Sequence, residues 1–341
     1  MTPNARATTG TAMSTPTSAG PRASRSATYS VAERHATILV HDPATGLTHR
    51  YNGTLPASLP ARVTLDPRQV ATWPTVTPRD HSGLAPISIC WSPLVRCNLD
   101  CPHCLDDKTV TEAGPADRQR IAWLLAKSPV MGVDISGGEP LLLRELPTLA
   151  DTLRRRSSVV SVTTNGWHLR RRVHELADHL DAVRVSLDGP DTRTHDAWRG
   201  DGSFSRAVDG IQAAVAAGVR VQIQTVLMTS TCHHAQQMLD LAAELGASGV
   251  TFLQMLPFGE GARLGTDEML SDAAANELLH QLVVPQGLSV RLRTRADAGG
   301  FTVVRADGRI WRNGHPADHI SALHPLRTVE DLTPSSPEGS A

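Results

Sequence analysis

Short apolar segments recur through the middle of the chain, and each is followed by residues with the spacing of an amphipathic helix. The predicted strands cover residues 87–91, 130–136, 159–163, 182–187, 219–228 and 249–256. Helices are expected near residues 116–127, 142–156, 204–217 and 235–245, with one more that ends close to residue 180. This alternation, at intervals of roughly 30 residues, predicts an α/β fold with a parallel sheet and right-handed crossovers. Such a sheet can curl into a full or a partial barrel.

The regions outside this repeat have a different pattern. Residues 1–28 are rich in Thr, Ser, Ala, Pro and Gly and lack large apolar side chains, so we expect a disordered tail. Residues 29–80 contain short alternating segments between Asp-Pro, Gly and Pro turn signals, which predicts a small strand-containing module. The strand and helix repeat occupies residues 81–260, and residues 261–341 are expected to form a cap that closes the open side of the barrel.

Composition and charge exclude several functional classes. The 341 residues have a formal net charge of −1, and no basic stripe indicates a nucleic-acid partner. Two arginine triplets, 154–156 and 170–172, lie on predicted helices and are interpreted as solvated outer faces. No apolar run approaches the roughly 20 residues that span a membrane, and the N-terminus lacks the apolar core of a secretory signal. We therefore expect a cytoplasmic protein without a membrane partner.

Unusual residues follow four successive strands, at the point where each strand ends. A cysteine-rich loop follows the first strand, and residues 137–140 (GGEP), 164–166 (TNG) and 188–190 (DGP) follow the next three. One Gly-Gly or Asp-Gly pair alone is usually a turn. Because the carboxyl ends of parallel strands meet at one edge of a sheet, four such loops in succession predict a functional site there.

Three of the five cysteines, Cys97, Cys101 and Cys104, fall within eight residues. Their spacing allows the three sulfur atoms to face one inorganic centre, either an iron–sulfur cluster with one open iron or a zinc ion with His103 or Asp100 as fourth ligand. Structural zinc usually takes two separated pairs of ligands, and no second pair is present in the sequence. Cys90 and Cys232 stand apart and are interpreted as small buried side chains.

These motifs, in this order, resemble the radical S-adenosylmethionine (radical SAM) superfamily over about residues 86–260. The resemblance implies a partial six-stranded (β/α)6 barrel with a 4Fe-4S cluster on Cys97, Cys101 and Cys104. It also implies that S-adenosylmethionine (SAM) chelates the open iron. Reductive cleavage of SAM then yields a 5′-deoxyadenosyl radical, which abstracts hydrogen from a substrate C–H bond.

The resemblance also implies which residues contact SAM: His103, Gly137, Gly138, Glu139, Ser186 and Arg199. The GGE segment would hold the methionine ammonium group, with Glu139 as a charged acceptor. Ser186 and Arg199 would hold the carboxylate and ribose side, to which a guanidinium is well suited. His103 would meet the adenine, and the alternative is that it is an ordinary loop residue. For Arg199 the alternative is a solvated surface arginine.

A narrower similarity concerns the peptide-modifying subgroup with a C-terminal auxiliary-cluster (SPASM or twitch) domain. It rests on residues 195–204 and 254–259, and on residues 301–310, which resemble the first hairpin of such a domain. However, no cysteine follows Cys232, so no auxiliary cluster can be built there on thiolates. Reactions that need no extra protein-bound electron acceptor are therefore favoured, such as epimerisation, rearrangement, elimination, decarboxylation or carbon–carbon bond formation.

The favoured function is a radical SAM enzyme of specialised metabolism, which acts on a sugar, a nucleoside or an amino-acid-derived substrate in, for example, antibiotic biosynthesis. We expect an electron donor such as flavodoxin or ferredoxin as a partner. One alternative is a maturase of ribosomally made peptides whose N-terminal module binds a leader segment. The other is a non-catalytic zinc or iron–sulfur regulator, which would leave the GGEP loop unexplained.

Overall fold

The computed structural model describes residues 26–52, 60–76, 85–156, 158–315 and 317–333, so the predicted N-terminal tail lies almost entirely outside the described residues. The N-terminal module is a small antiparallel sheet in the order β3-β2-β1-β4. Its strands are β1 (Ala27–Arg34), β2 (Thr37–His41), β3 (Thr48–Arg50) and β4 (Arg62–Leu65), followed by the short helix α1 (Pro67–Val70). The alternating segments thus form strands, as predicted, and β1 begins two residues before the expected start of the module.

The second sheet has ten strands in the order β11-β10-β9-β8-β7-β6-β5-β12-β13-β14. They are β5 (Ser88–Trp91), β6 (Gly132–Ile135), β7 (Val159–Thr164), β8 (Ala182–Ser186), β9 (Val221–Leu227), β10 (Gly249–Gln254), β11 (Ser289–Arg293), β12 (Thr302–Val304), β13 (Arg309–Asn313) and β14 (Ile320–Pro325). From β5 to β11 each strand is parallel to the next, which confirms the predicted α/β fold. The six predicted strands are all present, and β11 is a further parallel strand that the sequence pattern did not reveal.

Seven helices accompany this sheet in the described residues: α2 (Pro115–Lys127), α3 (Leu146–Arg154), α4 (Leu169–Leu176), α5 (Thr192–Arg199), α6 (Ser203–Ala216), α7 (Ala235–Leu245) and α8 (Asp272–His280). Helix α3 begins four residues later than predicted, because Pro140–Leu142 forms a separate 3₁₀ turn. Helix α5 was not predicted. Its N-terminus is capped by the Asp191 carboxylate, which accepts a hydrogen bond from the Thr194 amide.

Successive residues of the parallel strands face opposite sides of the sheet. On β8, Val183 and Val185 belong to the apolar core, whereas Arg184 and Ser186 are partly exposed on the other face, which we call the inner face. Residues of both β5 and β11 line one cavity of about 120 Å³ on this inner face. The sheet is therefore curled, and the described strands form a partial barrel with a polar inner face.

Arginine side chains from the parallel strands, or from the residues just before them, attach the N-terminal module to the second sheet. Arg220, just before β9, makes a two-pronged ion pair with Asp42 at 2.7 and 3.1 Å. Arg184 donates to the carbonyl oxygens of Pro43 and Ala44 at 2.7 and 3.0 Å. The loop that joins β2 to β3 thus forms the floor of the cavity.

The predicted hairpin at residues 301–310 is present, since β12 and β13 pair antiparallel with Val303 opposite Trp311. Strand β12 also pairs parallel with β5, where Val303 lies opposite Cys90. The C-terminal region therefore extends the sheet at both edges, with β11 beyond β10 and β12–β14 beyond β5. None of the helices in the described ranges combines the length and apolar character needed to cross a membrane.

The interpretation of the arginine triplets as solvated faces is wrong for Arg172 and holds only in part for Arg154, whose side chain is 28% exposed. The Arg172 side chain is buried and donates to the carbonyl oxygens of Leu141 and Leu143 at 2.8 and 2.7 Å. Arg154 lies 3.4 Å from the buried carboxylate of Asp181. The triplet pattern did not distinguish these two arginines from exposed neighbours, because the partners come from loops distant in sequence.

Candidate active site

The cysteine loop between β5 and α2 is held by hydrogen bonds to its backbone. Glu112 accepts from the amides of Val95 and Arg96 at 3.1 and 2.9 Å. The same carboxylate pairs with the Arg96 guanidinium at 3.0 Å. A single acidic side chain thereby fixes the segment that enters the first cysteine.

The three thiols lie within electrostatic reach of one another, since Cys101 influences both Cys97 and Cys104. Burial raises the pKa of all three thiols, to about 11 for Cys104. Donors already point at sulfur: the Leu99 amide is 3.4 Å and the Asn165 amide nitrogen 3.7 Å from the Cys97 sulfur. Such donors stabilise a thiolate, so this loop fits a thiolate-bound cluster.

A single metal ion requires its ligands to converge on one point. In the described part of the chain, no three side chains of His, Cys, Asp or Glu converge in that way. The predicted ligands Cys97, Cys101 and Cys104 thus share a loop without forming a compact single-ion site in this structure.

The two glycines of the GGEP loop pack against the cysteine loop. The Gly138 and Glu139 amides donate to the carbonyl oxygens of Leu94 and Arg96 at 2.9 and 2.8 Å. A Cβ on Gly137, whose φ is +103°, would lie 2.5 Å from the Leu94 carbonyl oxygen, and a Cβ on Gly138 would collide with that of Arg96. The two glycines therefore allow a close backbone approach, which in this structure is made toward the loop that carries the thiols.

Glu139 is fully buried, and its carboxylate joins two of the motif loops. It accepts from the Leu141 amide, the Thr164 hydroxyl and the Asn165 amide at 2.9, 2.7 and 2.9 Å. Burial raises the pKa of Glu139 to about 7, against the effect of these three hydrogen bonds. A carboxylate has about four acceptor positions, so one position remains for a further donor such as an ammonium group.

Asp188, of the DGP loop, is a buried anion at the centre of the site. Its carboxylate pairs with the guanidinium of Arg199 at 2.5 Å and lies 3.0 Å from the His103 ring. The Val226 amide donates to its other oxygen at 2.8 Å. Burial by itself would raise the pKa of Asp188, but the charges of Arg199 and His103 hold it well below its usual range.

The Asp188 carboxylate contacts two of the residues that were predicted to bind SAM, Arg199 and His103. Arg199 is not a solvated surface residue, because only 11% of its side chain is exposed. It lies near enough to Cys101 and Cys104 to interact with their charges. The His103 ring is buried between Asp188 and Trp198, with ring centroids of His103 and Trp198 5.8 Å apart. His103 is therefore not an ordinary loop residue.

Ser186 is the last residue of β8 and lies on the inner face, with Gln224 opposite it on β9. Eight of the nine predicted site residues thus lie at the carboxyl end of a strand or in the loop that follows one, and Arg199 is the last residue of α5. The central role of Asp188 was missed, although its place directly after an apolar strand was a signal. His195 was also missed: its ring nitrogen accepts from the Asp188 amide at 3.0 Å.

Three thiols in one loop at the carboxyl end of a curled parallel sheet define an iron–sulfur type of site on an α/β partial barrel. Residues 91–242 match the family model of the Radical SAM superfamily. This stretch of the chain is therefore similar to the superfamily that the motifs indicated, whose members use a 4Fe-4S cluster and SAM.

Two relatives illustrate the range of this similarity. GTP 3′,8-cyclase of Cronobacter sakazakii is 31% identical over 212 residues, which cover 59% of this chain and 63% of the relative. Mycofactocin maturase MftC of Mycobacterium ulcerans is 31% identical over 215 residues, which cover 61% of this chain and 58% of the relative. The chain thus matches about three fifths of the length of these curated relatives.

Solved structures show the same fold at low identity. SuiB of Streptococcus suis bound to S-adenosylmethionine aligns with a TM-score of 0.54 and 16% identity over 68% of this chain and 61% of that one. Native anSMEcpe with bound AdoMet aligns with a TM-score of 0.50 and 18% identity over 69% of this chain and 80% of that one. These alignments support the partial barrel assigned above.

Proposed function

We propose that this chain is a radical SAM enzyme that abstracts hydrogen from a C–H bond of a small substrate in specialised metabolism. The observation that carries the proposal is the cysteine loop, which the GGE backbone, Asn165 and the Arg199–Asp188 pair surround. When bound, the cluster and SAM supply a 5′-deoxyadenosyl radical after one-electron reduction. The protein residues bind, orient and shield these groups.

Five of the predicted site residues have a defined task under this proposal. Cys97, Cys101 and Cys104 would hold the cluster. The free acceptor position of Glu139 would take the methionine ammonium group, and that cation would favour the ionised form of a carboxyl whose pKa burial raises to about 7. Arg199, already oriented by Asp188, would donate to the methionine carboxylate.

We further propose that the net reaction needs no second cluster. No cysteine follows Cys232 in the sequence, so the C-terminal strands carry no thiolates for one. An isomerisation, elimination, decarboxylation or carbon–carbon bond formation is consistent with a single cluster. Iron analysis after reconstitution tests this step: about four irons per chain is expected, and about eight would contradict it.

The substrate class is the finer part of the proposal. The β2–β3 loop forms the floor of the cavity of about 120 Å³, which is lined by both polar and apolar side chains, and such a lining suits a small molecule with a polar end. A peptide maturase is the second candidate, because a relative of this chain is named mycofactocin maturase. We place the enzyme in the cytoplasm with flavodoxin or ferredoxin as electron donor.

The decisive experiment is anaerobic reconstitution followed by incubation with dithionite and SAM. Formation of 5′-deoxyadenosine and methionine is expected, and deuterium transfer from a labelled candidate metabolite into 5′-deoxyadenosine would identify the substrate. A colourless protein that carries zinc and does not cleave SAM would contradict the proposal and favour the regulator. Stimulation of cleavage by a short precursor peptide, and by no small metabolite, would favour the maturase.

A further inference from the structure

Three arginine side chains line the cavity on the inner face: Arg184 of β8, and Arg291 and Arg293 of β11. Arg291 and Arg293 are two residues apart on one strand, so both face the same side of the sheet. The guanidinium nitrogens of Arg184 and Arg291 lie 3.1 and 3.3 Å from the point where a Cβ on Gly46 would stand. Cationic groups therefore converge inside the fold.

These arginines differ in how their charge is balanced. Arg184 lies 3.3 Å from the Asp134 carboxylate. Within the described ranges, by contrast, neither Arg291 nor Arg293 has a carboxylate oxygen within 4.0 Å. Arg291 donates to the Thr45 carbonyl oxygen, and the Arg293 guanidinium lies 4.2 Å from the centre of the Phe301 ring. An arginine charge inside a protein normally has an anionic partner, because desolvation is costly.

The nearby carboxylates are already engaged. Asp134 accepts hydrogen bonds from the Ser161 and Thr163 hydroxyls at 2.6 and 2.8 Å, in addition to its pair with Arg184. Asp297 accepts from the amide and hydroxyl of Thr294 at 3.2 and 2.9 Å. Three arginines and two carboxylates thus line the cavity, and one positive charge remains.

The protonation states preserve this excess. Burial and the charges of Arg293 and Arg184 together lower the pKa of Arg291 to about 9, so the group stays protonated at neutral pH. Burial also lowers the pKa of His41, which lines the cavity floor, to about 3, so this ring is neutral. The cavity therefore carries net positive charge under physiological conditions.

We propose that Arg291 and Arg293 bind an oxyanion of the substrate, a carboxylate or a phosphate, inside the partial barrel. Guanidinium groups recognise both kinds of oxyanion through paired N–H donors. Arg293 is the last residue of β11, so it lies at the carboxyl end of its strand, as the cysteine loop does on β5. This inference rests on the proposed function in one respect, namely that the bound anion belongs to a substrate. The existence of the anion site is tested without any radical chemistry.

The experiment measures the thermal unfolding of the reconstituted full chain without SAM, whose own carboxylate would compete. Sodium phosphate, sodium succinate and sodium chloride are titrated at constant ionic strength. We expect phosphate or succinate to raise the unfolding temperature in a saturable manner, and the anion with the lower half-saturation concentration indicates which oxyanion the site prefers. An equal rise with chloride, or no rise with either oxyanion, would overturn the proposal.

Arg293→Met is the main variant, because the Arg293 guanidinium makes no hydrogen bond within the described residues that its loss would leave unpaired. We expect at least a tenfold weaker response to the preferred anion, whereas Arg293→Lys retains part of it. Arg291→Met should behave in the same way, but it also leaves the Thr45 carbonyl oxygen without its donor. Arg295→Met is the matched control, since Arg295 follows closely in sequence and faces Asp272 rather than the cavity.

A wild-type response in Arg293→Met would overturn the assignment of this residue. If these arginines only stabilised the fold, the variants would unfold at lower temperatures at every anion concentration. The rise in unfolding temperature on addition of the anion would then stay as in the wild type, which distinguishes this outcome from a loss of anion binding. SAM cleavage is measured separately on the unaltered chain. Anion binding without SAM cleavage would contradict the proposed function but retain this inference. SAM cleavage without anion binding would support the proposed function and overturn this inference.

Discussion

The two ends of the partial barrel are built by different kinds of contact. At the carboxyl ends of β5–β8, loops meet through backbone amides, carbonyl oxygens and the carboxylates of Glu139 and Asp188. At the amino ends, long arginine side chains from distant positions, such as Arg220 and Arg62, attach the N-terminal module. The carboxyl end depends on cysteine, glycine and acidic residues at particular loop positions. The amino end depends on arginine, a common residue type, whose partners here lie far away in the sequence. Substitutions at the two ends should therefore have different consequences.

The largest effect is expected at the carboxyl end for Cys101→Ala. It removes one of the three thiolates, so the brown chromophore and SAM cleavage should both fall to background. Absorbance and iron content after anaerobic reconstitution, with 5′-deoxyadenosine formation, check this. Cys232→Ala is the control, because that thiol begins a 3₁₀ turn after β9 and is not part of the cysteine loop, so its loss should change neither readout. Cleavage that survives in Cys101→Ala would refute the ligand assignment.

The next largest effect is expected at the amino end for Arg220→Ala. Asp42 would then keep a buried charge without its partner, and breaking such a pair costs about 3–5 kcal/mol. Arg170→Ala is the control, since 69% of the Arg170 side chain is exposed and a surface pair contributes about 0–1 kcal/mol. Urea unfolding of both variants measures the difference. Equal losses would mean that the module does not depend on this ion pair.

A third effect concerns pH and the Glu139 carboxyl. Its pKa is about 7 in the folded chain and 4.5 as a free group, so between these values the folded state binds more protons than the unfolded state. The contribution of Glu139 to the free energy of unfolding is therefore fully present at low pH. It decreases as the pH rises toward 7, by on the order of 1 kcal/mol per pH unit.

Glu139→Gln removes this titration, so the variant should lack the wild-type decrease in the free energy of unfolding. Other groups also titrate in this range: burial lowers the pKa of His195 to about 4 and raises that of Asp106 to about 6. They are common to both proteins, so the difference between the two pH profiles isolates Glu139. Parallel profiles from pH 5 to pH 8 would argue against a raised pKa.

The smallest of these effects is expected for Gly138→Ala. The added methyl group would press on the carbonyl oxygens of Val95 and Arg96, and overpacking of this kind costs about 1–3 kcal/mol. Gly114→Ala is the control, because nothing lies within 4 Å of its Cβ position and its φ is −69°. Differential scanning calorimetry of the two variants tests whether the GGEP loop is packed against the cysteine loop, and equal unfolding temperatures would show that it is not.

Much of the site at the carboxyl end could be predicted from the sequence, because its residue types are unusual directly after apolar strands. Three close cysteines, a Gly-Gly-Glu-Pro loop and an Asp-Gly-Pro loop directly after apolar strands need no tertiary information to be noticed. The partners of Asp188 could not be predicted, because His103 and Arg199 lie on separate elements that only folding brings together. Strand β11 was missed because its residues, SVRLR, include two arginines and do not form an apolar run.

The sequence by itself determined the alternation of strands and helices, the parallel sheet and the loop that carries the thiols. These features depend on local patterns of polarity and on the side-chain chemistry of cysteine and glycine. Only the tertiary structure decided which charges are balanced: Asp42 meets Arg220 and Asp188 meets Arg199, while Arg291 and Arg293 meet no carboxylate in the described residues. The reason is physical, since the free energy of a buried charge depends on its neighbours in space rather than along the chain.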